Sequence, residues 1–295
     1  MLDARVTPIL IRGPVGLGDT VYLRCAVREI TDRFDVYLET VWPQLFGDLP
    51  VRCVRRTTKL RAQERNAARP GLVWHAPPAI PSTRVHYAGS RGTMLQGLFD
   101  GLGLRPDRIT FDLPQFAPAP ARRPYVVIRP ATVRKEWPAL ARNPRPEYLA
   151  MAAEALRHRF DIVSVADLAP GVEWPLLPLP YADETFHSGE LQVEQLMALV
   201  AGAAGVVAGV GWAAPAAVAY QVPMFLIYGG SGAHDGPARI FDPRMPTGLV
   251  NYALPDRFCL CSDRQHRCDK EISTIESQLA RWAVGLAARA TPAMA

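Results

Sequence analysis

Three groups of residues in this chain have the types and spacing to do chemistry. Asp19 closes the run Gly13-Pro14-Val15-Gly16-Leu17-Gly18-Asp19. A carboxylate at such a loop either caps the helix that follows or acts as a general base that takes a proton from a hydroxyl. Two later loops, residues 209–214 and 229–237, carry Gly209, Gly211, Gly229 and Gly230, and loops of this kind leave backbone N–H groups open to an anion. Cys259, Cys261, His266 and Cys268 place three thiols and one imidazole within ten residues. That set suffices for one tetrahedral Zn²⁺, which would be structural because all four positions are filled. A single residue between Cys259 and Cys261 strains joint coordination, so a disulfide or free thiols are the alternative.

The elements that must hold these groups are legible from periodicity. Between Glu194 and Asp235 there is no Asp, Glu, Lys or Arg, so the stretch must be buried in protein or lipid. A membrane helix needs roughly 20 uninterrupted apolar residues, whereas Gly202, Gly205, Gly209, Gly211, Pro215 and Pro223 cut this run into short pieces. Those pieces read as a helix over 191–201, a strand over 205–208, a glycine loop, a helix over 213–220 and a strand over 224–228. Uncharged strands alternating with helices predict a parallel sheet covered on both faces, with ligands at the carboxyl ends of its strands.

Earlier in the chain, residues 6–12 predict a strand and 19–30 a helix, with Asp19 at its cap. Further strands are expected at 36–38 and 51–54, and a helix at 93–102. The proline-rich stretch 114–124 reads as a linker. After it come strands at 125–128 and 161–165, helices at 147–160 and from 189, and a last helix at 272–287. The expected organisation is therefore two α/β domains, 1–118 and 119–295, with a cleft between them and a terminal helix free to return to the first.

Composition narrows the class. With 49% hydrophobic and 21% charged residues the chain is globular. The start lacks a signal-peptide pattern, which points to a cytoplasmic protein, and five cysteines, an odd number, argue against a full disulfide framework. The net charge of +5 favours anionic partners without demanding nucleic acid. Arg52, Arg55, Arg56, Lys59, Arg61, Arg65 and Arg69 stand against the single Glu64. They form either a solvated basic face or a landing surface for a phosphorylated acceptor.

The order of motifs resembles the heptosyltransferases of glycosyltransferase family nine. Gly16-Leu17-Gly18-Asp19 is similar to the family's amino-terminal glycine–aspartate loop. The segment from Arg129-Pro130 to Lys135-Glu136-Trp137-Pro138 is similar to its lysine shortly before Trp-Pro, and residues 204–230 to its donor-binding strand, loop, helix and strand. The resemblance implies an α/β fold of GT-B type, two Rossmann-like domains with parallel sheets facing a central cleft. It implies an inverting, metal-independent transfer from a nucleotide sugar to an acceptor hydroxyl of a glycan or lipid-linked molecule. No cofactor is required by this chemistry, and the chain contains no Asp-X-Asp triplet.

Under that resemblance Asp19 is the base. Lys135 holds the diphosphate, whose charge grows as it departs, with Thr132, Arg134, Gly209, Gly211, Trp212, Ala213, Gly229, Gly230, Ser231 and His234 completing the donor side. Gly16, Gly18, Arg55 and Arg56 lie on the acceptor side. The family's donor-loop positions for Asp, Ser or Thr, Gly and His read Val210, Gly211, Trp212 and Pro215 here, which leaves the donor open. Trp212 stacks on a base or sugar, or fills core. Two alternatives follow: transfer to a modified base in DNA, and a homologue that binds a nucleotide sugar without catalysis.

Overall fold

The computed structural model describes residues 7–88, 92–117 and 123–290. The chain divides into two compact units, Met1–Gln115 with Ile240–Met245, and Phe116–Arg239 with Pro246–Ala295. Residues 118–122 of the linker expected at 114–124 lie outside the described residues.

The first unit contains β1 (Thr7–Arg12), α1 (Leu17–Arg28), β2 (Phe34–Thr40), β3 (Val51–Arg55), α2 (Arg61–Ala67), β4 (Ser82–Arg84) and α3 (Met94–Gly101). Its sheet has the order β3-β2-β1-β4, and every pairing is parallel. The strands expected near 6–12, 36–38 and 51–54 are present. β4 was not expected, because Ser82-Thr83-Arg84 offers no apolar period. Helix α1 begins two residues before the expected start. Gly16 is therefore its N-cap, without a side-chain bond, and Asp19 lies inside the first turn, which corrects the reading of Asp19 as the cap.

Arg24 on α1 is completely buried. It survives there because its donors are matched: Nη1 donates to the Leu45 carbonyl and to Asp48, both at 2.7 Å, Nη2 to Asp48 at 2.7 Å, and Nε to Asp112 at 3.2 Å. Charge-assisted pairing of this kind is what makes a buried guanidinium tolerable. The return segment 240–245 is tied into the same unit. Tyr22 donates to the Ile240 carbonyl at 2.9 Å, Thr93 to Asp242 at 2.6 Å, and Arg244 to the Pro106 carbonyl at 2.8 Å. A reading of two successive halves does not contain this excursion.

The second unit contains β5 (Tyr125–Arg129), β6 (Thr132–Arg134), α4 (Pro146–Leu156), β7 (Asp161–Val165), β8 (Glu173–Pro175), β9 (Glu184–Phe186) and α5 (Val193–Ala201). It continues with β10 (Gly205–Gly209), α6 (Ala213–Ala219), β11 (Met224–Ile227), the short helices α7 (Gly232–Asp235) and α8 (Pro237–Ile240), β12 (Val250–Ala253) and α9 (Ile275–Ala290). Its main sheet runs β12-β11-β10-β5-β7-β9, all parallel, and β6 pairs with β8 antiparallel. The uncharged stretch has its explanation here. β10 and β11 lie inside the sheet, and every residue of α6 is buried against it, so no position in either strand or helix could hold a charge without desolvating it.

α4 and α9 cover one face of the sheet, with Leu149, Leu156, Trp282 and Leu286 meeting Val207 and Phe225 in one core. Helix α5 starts at Val193 rather than at Gly189, because Gln192 and Gln195 form a reciprocal capping box there. No described helix is long and apolar enough to cross a membrane.

Replacing Arg24 by Ala is expected to cost the first unit about 3 kcal/mol, through the lost volume and the orphaned Leu45 carbonyl, measured by urea unfolding. The bond from Arg24 holds the Asp48 carboxyl below its ordinary range. Its stabilisation is therefore complete above the unfolded carboxylate pKa and is lost as pH falls through the lower folded one. The R24A variant should flatten the acid limb of the stability–pH curve, and an unchanged limb would refute the assignment.

Candidate functional site

In the first unit the candidate residues gather where β1 delivers the chain to α1. The carboxylate of Asp19 folds back over the loop, and a Cβ built on Gly16 would meet Asp19 Oδ2 at 2.3 Å. Only glycine leaves space for that approach. Tyr87 donates to Asp19 Oδ1 at 2.8 Å, which fixes the second oxygen. Trp42 Nε1 donates to the Val15 carbonyl at 2.8 Å, and Arg56 donates to the Gly13 carbonyl, so the loop is pinned from two sides. Burial, with Arg12 and Arg84 nearby, lowers the Arg56 pKa against the opposing charge of Glu39.

The basic run does not form one face. Arg52 is committed to Asp35 at 3.0 Å and to the Tyr37 hydroxyl, while Arg55 is exposed at the end of β3 and Arg56 turns to the loop.

In the second unit Arg129, Gly209 and the loop after Ile227 lie at the carboxyl ends of the adjacent strands β5, β10 and β11, the edge where parallel sheets bind ligands. Thr132 and Arg134 converge on Glu173, which is 3% exposed. Glu173 accepts from Thr132 Oγ1 at 2.7 Å and from Arg134 Nε at 2.5 Å, and Arg129 stands 3.7 Å away. Lys135 is exposed, and its backbone N–H donates to the Val172 carbonyl at 2.8 Å. Burial pushes the Arg129 pKa down to about 10; Glu173 opposes this, and Arg134 and Arg142 add to it. Arg142 Nε is buried with no hydrogen-bond partner among the described residues. Arg129, Arg134 and Arg142 stand against Glu173 and, near Arg129, Asp167, which leaves a net positive, partly desolvated patch, the electrostatics that would hold an anion.

Arg129, Arg142 and Glu173 were not found from sequence. Glu173 meets Arg134 only through the β6–β8 pairing, 39 residues apart, and the one local hint is an acid between Val172 and Trp174.

The remaining donor-side candidates divide by accessibility. Gly209 and Gly211 end and follow β10, Trp212 is half-buried, and Ala213 is fully buried so that only its backbone is available. Gly229 and Gly230 lie against the segment 141–143, with Gly230 N–H donating to the Ala141 carbonyl at 2.6 Å. Ser231 takes a left-handed backbone, φ 62°, and its buried hydroxyl has no partner among the described residues. His234 is exposed on α7, and its backbone N–H donates to the Ser231 carbonyl at 3.0 Å.

The four candidate metal ligands come together, with their ligand atoms all within 4.8 Å of one another. Cys261 and Cys268 sulfurs are 3.5 Å apart, His266 Nδ1 is 3.3 Å from Cys268 and 3.6 Å from Cys259. Metal–sulfur bonds of about 2.3 Å and metal–nitrogen bonds of about 2.0 Å set tetrahedral edges of roughly 3.5–3.8 Å, so the donor set fits one ion. Cys259 and Cys261, with one residue between them, both belong to this group. The cysteines are free, and 3.5 Å is far beyond a disulfide bond.

The two parallel α/β units have the GT-B fold. Solved heptosyltransferases share it. TibC of enterotoxigenic E. coli, a dodecameric iron-containing heptosyltransferase solved with ADP-D-beta-D-heptose, superposes with a TM-score of 0.62 at 16% identity, over 98% of this chain and 79% of that one. The E. coli ADP-heptose lps heptosyltransferase II gives 0.56 at 13% identity over 96% and 99%. A glycosyl transferase family 9 protein of Veillonella parvula gives 0.55 at 12% over 96% and 97%. No protein-family profile and no curated protein sequence matches the chain.

Replacing Glu173 by Ala should strand Arg129 and Arg134 beside each other and cost about 3 kcal/mol, read by urea unfolding. Glu173→Gln keeps the bond from Thr132 and should cost less. Equal losses in the two variants would show that the charge of Glu173 is not what holds the segment.

Proposed function

We propose that the chain is a nucleotide-sugar-dependent glycosyltransferase of the heptosyltransferase type. The observation that carries the reading is the positive patch of Arg129, Arg134 and Arg142 at the carboxyl ends of β5 and β10, in a fold shared with a heptosyltransferase solved with its ADP-sugar. A nucleoside diphosphate gains negative charge as it leaves the anomeric carbon. Fixed guanidiniums and the Lys135 ammonium lower the barrier by receiving that charge without reorganising.

In this reading Asp19 takes the proton of the acceptor hydroxyl as its oxygen attacks the anomeric carbon from the face opposite the departing diphosphate, giving inversion. The bond from Tyr87 and the approach to Gly16 hold the carboxylate in one orientation for that task. The acceptor is placed as a hydroxyl on an envelope glycan. The nucleic-acid alternative is less well supported, because Arg52 is already paired and the basic run carries no interleaved aromatics for stacking bases.

A second reading has its own support. The loop 209–214 carries no side-chain hydrogen-bond donor other than Trp212, which suits a protein that binds a nucleotide sugar and does not turn it over. We also place a tetrahedral metal on Cys259, Cys261, His266 and Cys268. It would supply folding energy and no open coordination position.

Thermal stabilisation by ADP, UDP, GDP, CDP and their sugars tests donor binding, since a ligand of the folded state raises its stability. With the donor found, Asp19→Asn should lower turnover at least 100-fold and leave donor affinity nearly unchanged. A fully active D19N variant would remove Asp19 as the base. Donor binding without transfer or hydrolysis in the unaltered protein would favour the second reading.

A further inference from the structure

We propose that the metal knuckle of residues 259–268 sets the donor-side loops, so that metal binding and nucleoside diphosphate binding strengthen each other. The inference rests on the transferase reading for its ligand, but its geometry lies wholly within the second unit. Residues 254–274 contain no helix or strand. A stretch that long needs something other than a backbone ladder to order it, and four metal ligands inside it supply that order when an ion is bound.

The same stretch holds both neighbouring segments. Gly232 N–H donates to the Cys259 carbonyl at 2.9 Å, and Gly230 lies against the Cys268 side chain. Ala141 N–H donates to the Arg264 carbonyl at 2.8 Å, and the Ala141 carbonyl in turn accepts from Gly230 at 2.6 Å. Lys270 Nζ donates to the Leu140 carbonyl at 2.7 Å, and the Arg264 guanidinium lies 3.8 Å over the Trp137 ring, two residues after Lys135. The knuckle, the loop after β11 and the arm carrying Lys135 thus form one closed ring of contacts. Gly230 is the tightest point: a Cβ there would meet Cys268 Sγ at 2.1 Å.

Releasing the ion frees Cys259, Arg264 and Cys268 together, and with them the contacts of Gly230, Gly232 and Ala141. The loops then order only when the nucleotide binds, and that ordering lowers its affinity. Coupling between two binding sites is reciprocal, so the nucleotide must tighten metal retention by the same factor. Trp137, Gly230 and Arg264 are positioning residues in this scheme.

The full chain is loaded with Zn²⁺ or Fe²⁺, or stripped with a chelator, and each form is titrated with ADP, UDP, GDP and CDP by calorimetry while amide hydrogen exchange is followed. The expected result is at least tenfold tighter nucleotide binding by the loaded form. Exchange should slow at residues 137–141 and 229–232 and stay unchanged in β5 and β7. Gly230→Ala, which alters no ligand, should weaken metal retention at least tenfold, a readout that does not need nucleotide or activity. Equal nucleotide affinity in the two forms, slowed exchange confined to 259–268, or a chain that takes up neither metal would each overturn the proposal. No nucleotide binding in either form, with exchange at 137–141 and 229–232 still answering to metal, would instead refute the transferase reading and with it the nucleotide half of the coupling.

Discussion

Parallel strands must all end at the same edge of their sheet, and this constraint governs both units. In each, the connections that return the chain run through helices that seal the faces, so the polar groups the fold cannot bury collect at the carboxyl edge. Arg129, Gly209 and the Gly229–Gly230 pair arrive there from adjacent strands. The price of that arrangement is visible in α6, whose seven residues are all buried and all small or apolar. A helix so closely set against β10 and β11 can offer its backbone but little side-chain chemistry, which leaves the charged side chains of this edge to β5 and the segment after it.

Charge is handled differently in the two units. Arg24 in the first is buried with its donors matched to carboxylates that are themselves partly solvated, so the cost of desolvation falls on one partner only. Around Glu173 in the second, the carboxylate is the buried partner and the guanidiniums outnumber it. The first arrangement is satisfied and rigid. The second retains unbalanced positive potential.

Much of this was readable in the sequence because burial on both faces writes itself as uncharged strands. β7 ends where its pattern says it should, and β10 and β11 are each found within one residue of the expected bounds. The glycine loops and the grouping of Cys259, Cys261, His266 and Cys268 were legible because local composition announces them. The place of Asp19 was misjudged, since Gly16 rather than an acid begins α1. What stayed hidden depends on distant pairing. Thr132 and Arg134 were named as donor residues, yet nothing near them announces Glu173, which reaches them through a three-residue antiparallel pair. β4, β8 and β9 are likewise three residues each, too short for any period to show.

The excursion of residues 240–245 into the first unit bears on how this protein came to be and how it is dissected. A chain that leaves one module and re-enters it late cannot be split by a single cut. A fragment ending at Gln115 would lack the Ile240 carbonyl that receives the Tyr22 hydroxyl and the Asp242 that receives Thr93, so its own interior would open to water. The two modules therefore have to be synthesised and folded as a pair, with the first completed only after most of the second has left the ribosome.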